Sequence, residues 1–280
     1  MDIKKIKTIG ILGVGFMGGS LALALKEMNP SLHIRGYARS KKSYDKLSKL
    51  KILDSLTSSL KEFIRDLDIV VLALPVGEII NFFKKISLFL DKKIIICDLG
   101  SSKKLIEIAA NRYLPKKVSF VGCHPLCGGE KSGAEFSCPD LYRGSFCVIT
   151  SSPRKKDVQT IKLIWENLGA QVLFFSPDSH DRILSAISHL PHIISFSLTN
   201  YIPNQHSKLG LGSLRDLTRI SESSASVWAD IFLSNKVNIL NDLDKFIKVL
   251  MQFSLLIKQN KKDQILDLIT SANKKKRKIT

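Results

Sequence analysis

Gly13-Val14-Gly15-Phe16-Met17-Gly18 is a GxGxxG run, a spacing that brings peptide N–H groups against a pyrophosphate. In such a loop Gly13 makes the tight turn, Gly15 lets the backbone approach the phosphates and Gly18 lets helix pack closely on strand. Phe16 and Met17 then open the helix whose N-terminus faces the anion. Further on, Gly36-Tyr37-Ala38-Arg39-Ser40-Lys41-Lys42 stands where a dinucleotide site meets the ribose. NAD asks for a carboxylate there. Ala38 supplies none, whereas Arg39, Ser40 and Lys41 can hold a 2′-phosphate, so the expectation leans to NADP rather than NAD.

Two later stretches hold histidines, an arginine pair and a tryptophan. Gly122-Cys123-His124-Pro125-Leu126-Cys127-Gly128-Gly129-Glu130 begins at a predicted strand end, where α/β sheets place ligands. An imidazole such as that of His124 titrates near ~6.5, and on general grounds a lone strand-end histidine is more often structural than catalytic. Ser188-His189-Leu190-Pro191-His192 and Gly212-Ser213-Leu214-Arg215-Asp216-Leu217-Thr218-Arg219 follow, then Trp228. His189 and His192 are spaced for one helix face and could form a metal pair, but no carboxylate or third histidine follows at ligand spacing. Cys123, His124, Cys127 and Cys138 lack the C-x2-C spacing of a zinc knot. No metal is expected. The 5 cysteines are an odd number with no disulfide framework, which points to a reducing, cytoplasmic setting.

Alternating elements must position these groups. Strands are expected over Thr8–Leu12, Leu32–Tyr37, Ile69–Leu74, Ile94–Asp98, Ser119–His124, Phe146–Thr150 and Gln171–Phe175. Helices are expected between them, over Ser20–Lys26, Tyr44–Leu50, Val76–Leu90, Lys103–Tyr113 and Asp157–Leu168. That alternation indicates an α/β, Rossmann-type doubly wound parallel sheet over residues 1–177. Beyond Pro177 the strand signal stops. Asp181–Leu198, Ala225–Leu233, Val237–Lys258 and Lys262–Ala272 read as helices of an all-helical second domain over 178–272. Its apolar surface points to a homodimer. Residues 273–280 read as a solvated basic tail beyond the last helix.

The chain has 280 residues, 44% apolar and 24% charged, which excludes disorder and fibrous repeats. Its 43 Lys+Arg against 25 Asp+Glu give a net charge of +18. No nucleic-acid-binding motif accompanies that charge, so a nucleic-acid partner is not expected. The uncharged run from Thr8 to Leu25 behind Lys4, Lys5 and Lys7 resembles a membrane anchor. However, Gly10, Gly13, Gly15, Gly18 and Gly19 each cost a continuous helix ~1 kcal/mol relative to alanine, and no membrane span is expected.

Taken in order, the glycine loop, Asp98-Leu99-Gly100-Ser101-Ser102-Lys103, the His124–Glu135 run, Ser188–His192 and Asp216–Arg219 followed by Trp228 resemble the prephenate/arogenate dehydrogenase family of tyrosine biosynthesis, in register from about residue 6 to 260. The resemblance implies oxidative decarboxylation: hydride leaves C4 of a cyclohexadiene ring for NAD(P), the ring carboxylate departs as CO2, and the ring becomes aromatic. It implies that His124 accepts a hydrogen bond from the C4 hydroxyl, with Ser101 aligning it. Arg219 and His192 would hold substrate carboxylate, with His189 nearby, Asp216 orienting His192 or Arg219, and Glu130 and Trp228 lining the pocket. Two other classes stay open here: a different NAD(P)-dependent dehydrogenase of the 3-hydroxyacid type, and a non-catalytic dinucleotide-binding module. The former generally relies on a helix-borne lysine and has no place for His124-Pro125 with Arg219.

Overall fold

A computed structural model describes residues 6–129, 131–150, 154–207, 209 and 212–279. Glu130, Gly210 and Leu211 lie outside the described residues. The chain falls into two compact units, 1–235 and 236–280.

The first unit is built on a six-stranded parallel sheet of β1 (Thr8–Leu12), β2 (His33–Tyr37), β3 (Ser55–Thr57), β4 (Ile69–Leu72), β5 (Ile95–Asp98) and β6 (Ser119–Val121). Their order across the sheet is β3-β2-β1-β4-β5-β6, the double winding of a dinucleotide-binding domain. The apolar strands feed two cores. Ile9, Ile11, Ile69, Val71, Ile95 and Cys97 face one side, packed with Leu21, Ala22 and Leu25 of α1 (Phe16–Met28) and with Leu47 of α2 (Lys41–Leu50). Leu12, Val70, Leu72 and Ile96 face the other, against α3 (Leu60–Ile64), α4 (Val76–Ile86) and α5 (Lys104–Tyr113). In β4 and β5 alternate residues thus bury on opposite faces, and these two strands read as apolar runs for that reason.

Here the expected single strand over Ser119–His124 is corrected. It breaks at Gly122 into β6 and β7 (Cys123–Pro125), and β7 joins a separate three-stranded sheet with β8 (Phe146–Thr150) and β9 (Gln171–Phe175). In that sheet β7 runs antiparallel to β8, while β8 and β9, joined by α6 (Lys155–Asn167), are parallel. A side chain at Gly122 would place its Cβ 2.3 Å from Thr150 Oγ1; bare backbone lets Thr150 N–H donate to Gly122 O at 2.9 Å. β3 and α3 have no counterpart in the sequence reading.

The helix expected over Asp181–Leu198 is also broken. α7 (Pro177–Leu184), capped by Ser176 Oγ, passes through a wider π turn at Ser185–His189 into α8 (Leu190–Tyr201). Pro191 lacks an N–H, and its ring would crowd the carbonyl of Ile187 in a regular helix; the wider turn accommodates it. α9 (Asn204–Ser207), α10 (Gly212–Thr218), a 3-10 turn at Arg219–Glu222 and α11 (Ala225–Ser234) complete this unit.

The second unit pairs α12 (Lys236–Lys258) with α13 (Lys262–Lys276). Much of the expected basic tail is therefore helical. Lys274, Lys275 and Lys276 form the last turn, where cations offset the partial negative charge of the helix C-terminus. Among the described residues no helix is long and apolar enough to cross a membrane.

Candidate active site

The glycine loop joins β1 to α1. Gly13 holds φ +94°, and a Cβ there would lie 2.2 Å from Ala73 O; at Gly18 it would lie 2.3 Å from Gly13 O. Around Gly15 nothing comes within 4 Å of that position. Two glycines thus meet backbone and the middle one faces open space, which is the division of labour a pyrophosphate cradle requires. No side chain caps α1 at Gly15, so the first-turn N–H groups, including those of Phe16 and Met17, are left to an anion.

A cleft of about 510 Å³ extends from this loop, lined among others by Val14, Tyr37, Ala38, Arg39, Leu74 and Phe82. Ala38 is buried at its floor. Ser40 caps α2, its Oγ accepting from Ser43 N at 3.2 Å, and Lys41 starts that helix. Arg39 Nη1 lies 3.8 Å from Glu78 Oε2, both side chains largely exposed. Such an exposed pair is worth about 0–1 kcal/mol and yields readily to an incoming anion. The residues fit a nicotinamide dinucleotide.

His124 stands on β7, just past the seam between the two sheets. Asp98, at the end of β5, is fully buried. Its Oδ1 accepts from Cys123 N at 3.1 Å, and its Oδ2 accepts from Gly100 N at 2.9 Å and from Lys103 Nζ. Lys103 Nζ also donates to Cys123 O at 2.7 Å. This buried pair therefore grips both peptide groups of the residue before His124. Burial raises the Asp98 carboxyl to about 6, against the pull of Lys103.

His124 Nδ1 lies 2.8 Å from His180 Nε2, and His180 Nδ1 lies 2.8 Å from Asp181 Oδ1. Asp181 also caps α5, accepting from Lys103 N at 2.7 Å and Lys104 N at 3.0 Å. Burial, then the neighbouring His180, Lys103 and His189, hold the His124 imidazole well below its usual value, not near ~6.5 as the sequence suggests. Ser101 is half-buried beyond Asp98 on the same sheet edge, but it is His180 that hydrogen-bonds His124.

On the helical side, His189 is buried, with Nδ1 accepting from Asn235 Nδ2 at 3.1 Å; Asn235 also donates to Asp181 O at 2.7 Å. Burial lowers His189 to about 4. His192 stacks on Trp228 at 3.5 Å between centroids, and its Nδ1 donates to Ser188 O at 2.9 Å. These two groups hold its ring and Nδ1, and Asp216 is exposed on α10. Burial and then Arg219 lower the His192 imidazole, against the Ser188 hydrogen bond. Arg219 is exposed at the turn after α10. Glu130 cannot be placed, lying outside the described residues.

Helices and sheet are tied beside the site. Asp230 of α11 accepts from Gly77 N at the start of α4 at 3.2 Å, and Ser102 Oγ donates to Ser234 Oγ at 2.9 Å. Sequence reasoning missed His180, Asp181, Asn235 and the pairing of Asp98 with Lys103. Only the last left a signal, an acid and a base inside one motif. Among the described residues no group of three or more metal-ligating side chains occurs.

Residues 21–174 match the family profile "Prephenate dehydrogenase, nucleotide-binding domain", and residues 176–271 match "Prephenate dehydrogenase, dimerization domain". A prephenate dehydrogenase of Bacillus subtilis is 30% identical over 274 residues, covering 95% of this chain and 74% of the relative. A cyclohexadienyl dehydrogenase of Zymomonas mobilis is 30% identical over 278 residues, covering 96% and 94%. Among solved structures, prephenate dehydrogenase from Aquifex aeolicus in complex with hydroxyphenyl propionate and NAD+ superposes with a TM-score of 0.89 at 33% identity, covering 99% of each chain.

Proposed function

The chain belongs to the prephenate dehydrogenase family, and from that premise we propose that it catalyses the oxidative decarboxylation of prephenate to 4-hydroxyphenylpyruvate, with arogenate, going to tyrosine, as the second candidate substrate. Family membership sets aside the 3-hydroxyacid dehydrogenase and non-catalytic alternatives. The observation that carries the reading is the placing of His124 on the strand segment next to the dinucleotide loop's sheet, with its other ring nitrogen already engaged. When bound, the nicotinamide accepts the hydride leaving C4.

The protein's own groups do the rest. His124 accepts the hydrogen of the C4 hydroxyl and so promotes hydride departure. In this reading Ser101 hydrogen-bonds the same hydroxyl region and helps align His124 with the nicotinamide. Arg219 holds a substrate carboxylate through its planar fork, and His192, held flat on Trp228, meets the side-chain carboxylate. Buried His189 supports His192 and Trp228 from behind, and in this reading Asp216 orients His192 or Arg219. A cofactor-reduction assay with prephenate, arogenate and simple hydroxyacids tests the reading. Reduction with a hydroxyacid alone would overturn it.

For the cofactor, Arg39, Ser40 and Lys41 favour NADP: a 2′-phosphate at the α2 N-terminus would compete with Glu78 for Arg39. The chain also pairs as a homodimer in this reading. α12 and α13 expose Leu240, Leu250, Met251, Leu255, Leu266 and Ile269, more apolar surface than a monomer usually leaves uncovered. The matched profile carries dimerization in its description. Sedimentation of a fully active monomer would refute the dimer.

A further inference from the structure

Resting on the activity proposed above, we infer that Asp181 and His180 form a sealed relay that fixes His124 with Nδ1 protonated and Nε2 bare, and that stores and returns a single proton during each turnover. A carboxylate oxygen can only accept, and Asp181 Oδ1 faces His180 Nδ1 at 2.8 Å, so that nitrogen carries the hydrogen. A neutral His180 then has only its Nε2 lone pair to offer. The atom 2.8 Å away, His124 Nδ1, must donate. His124 Nε2 is left as the acceptor for substrate, and the tautomer follows from the wiring alone.

The groups around this chain reinforce it. Lys103 and Lys104 give Asp181 two backbone N–H bonds, at 2.7 and 3.0 Å, and Asn235 holds the Asp181 carbonyl at 2.7 Å, so the carboxylate cannot turn away. The charged and titratable neighbours of His124 are His180 and Asp181 from α7, Lys103 beside α5, His189 from the π turn and Asp98 from β5. Cationic Lys103 opposes an imidazolium, and Asp181, reached through His180, is placed to offset it.

Proton accounting explains why the relay is buried. A prephenate dianion and an oxidised nicotinamide give a keto-acid monoanion, CO2 and reduced nicotinamide. The C4–H electron pair leaves as hydride, the C1–carboxylate pair enters the ring, and the hydroxyl hydrogen ends on the phenol. No proton is released. One lent to His124 as the hydride departs has to come back to the same oxygen as the ring becomes aromatic. An open path to water would serve no purpose, and His180 and Asp181 are 0% and 1% exposed.

The test is the 15N spectrum of the free full-length protein, with His124 assigned by loss of its signals in His124→Asn. Nδ1 should appear protonated and Nε2 unprotonated at pH 7.5. His180→Leu should give a mixture of tautomers and cut kcat by roughly tenfold to a hundredfold with KM little changed. His180→Gln, whose amide oxygen can accept from Nδ1, should recover much of the loss. A protonated Nε2 in the unsubstituted protein overturns the inference, whether or not any variant folds. So does His180→Leu with unchanged tautomer and turnover. The spectrum needs no substrate: the expected tautomer without prephenate turnover would sink the proposed activity and leave the tautomer assignment standing.

Discussion

Replacing Lys103 by methionine keeps an unbranched side chain one heavy atom shorter and removes its charge. Lys103 and Asp98 are 1% and 0% exposed, so the substitution leaves a carboxylate in the interior with only peptide N–H partners. Breaking a buried pair from one side costs about 3–5 kcal/mol, and loss of the Cys123 carbonyl's donor falls within that range. For a chain of this length each kcal/mol lowers the melting temperature by about 2–4 °C, so a drop of roughly 10 °C is expected at pH 8. The sign of the pH dependence follows from Asp98. It already sits near 6, and without Lys103 it rises further, so acidification neutralises the stranded charge. The deficit should therefore shrink between pH 8 and pH 5.5, and Asp98→Asn added to Lys103→Met should recover part of it at pH 8. Thermal melts of the three proteins at both pH values decide the matter. A deficit under about 1 kcal/mol, or one equal at both pH values, would refute the claim that this pair is a desolvated ion pair gripping the strand before His124.

His124→Asn should cut kcat by ~10²–10⁴ with a modest change in KM, measured under saturating cofactor. Arg219→Ala should chiefly raise KM for the dicarboxylate, since a charge-assisted contact of about 1.5–3 kcal/mol is lost in ground and transition state alike. Arg39→Asp should move the ratio of kcat/KM from NADP towards NAD; a parent enzyme that already prefers NAD more than about tenfold would refute the reading of the loop after β2. Acid should unfold the protein early. His189 falls to about 4 in the folded state, and His124 and His180 are also lowered, so their stabilisation is complete above ~6.5 and is lost as pH falls towards 4. For His189 alone that is about 3 kcal/mol, opposed by Asp98, whose raised value works the other way between 6 and 3.8, and by Glu107, which burial also raises. Urea midpoints that stay constant from pH 7 to 4.5 would contradict this.

What could be read from sequence was chemistry with a fixed spacing. The glycine loop, His124 and the His189/His192 pair stand out because the chemistry proposed for them demands particular residues at particular intervals. The fully apolar strands declare themselves because both faces are covered. What stayed hidden depends on long-range contact. Lys103 lies in a polar run that reads as surface, and only its partner Asp98 makes burial tolerable. His180 and Asp181 are adjacent in a helix, and their roles come from His124 and the α5 N-terminus, distant in the chain. β3 is three residues with no apolar run, ordered by pairing with β2. Gly122 did carry a signal, since a glycine inside a strand often marks a break or close approach.

The wider turn at Ser185–His189 has a consequence for helical phase. A regular helix advances ~100° per residue, so one extra residue in a turn rotates everything beyond it by about that angle. α7 and α8 are thus one rod in two separately aimed halves: the first points His180 at His124, and the second points His192 at Trp228. Removing a single residue between Ser185 and His189 would swing His192 off the indole while leaving Asp181 on the α5 N-terminus. The half that carries His192 can therefore be re-aimed over generations without disturbing the half that holds His124.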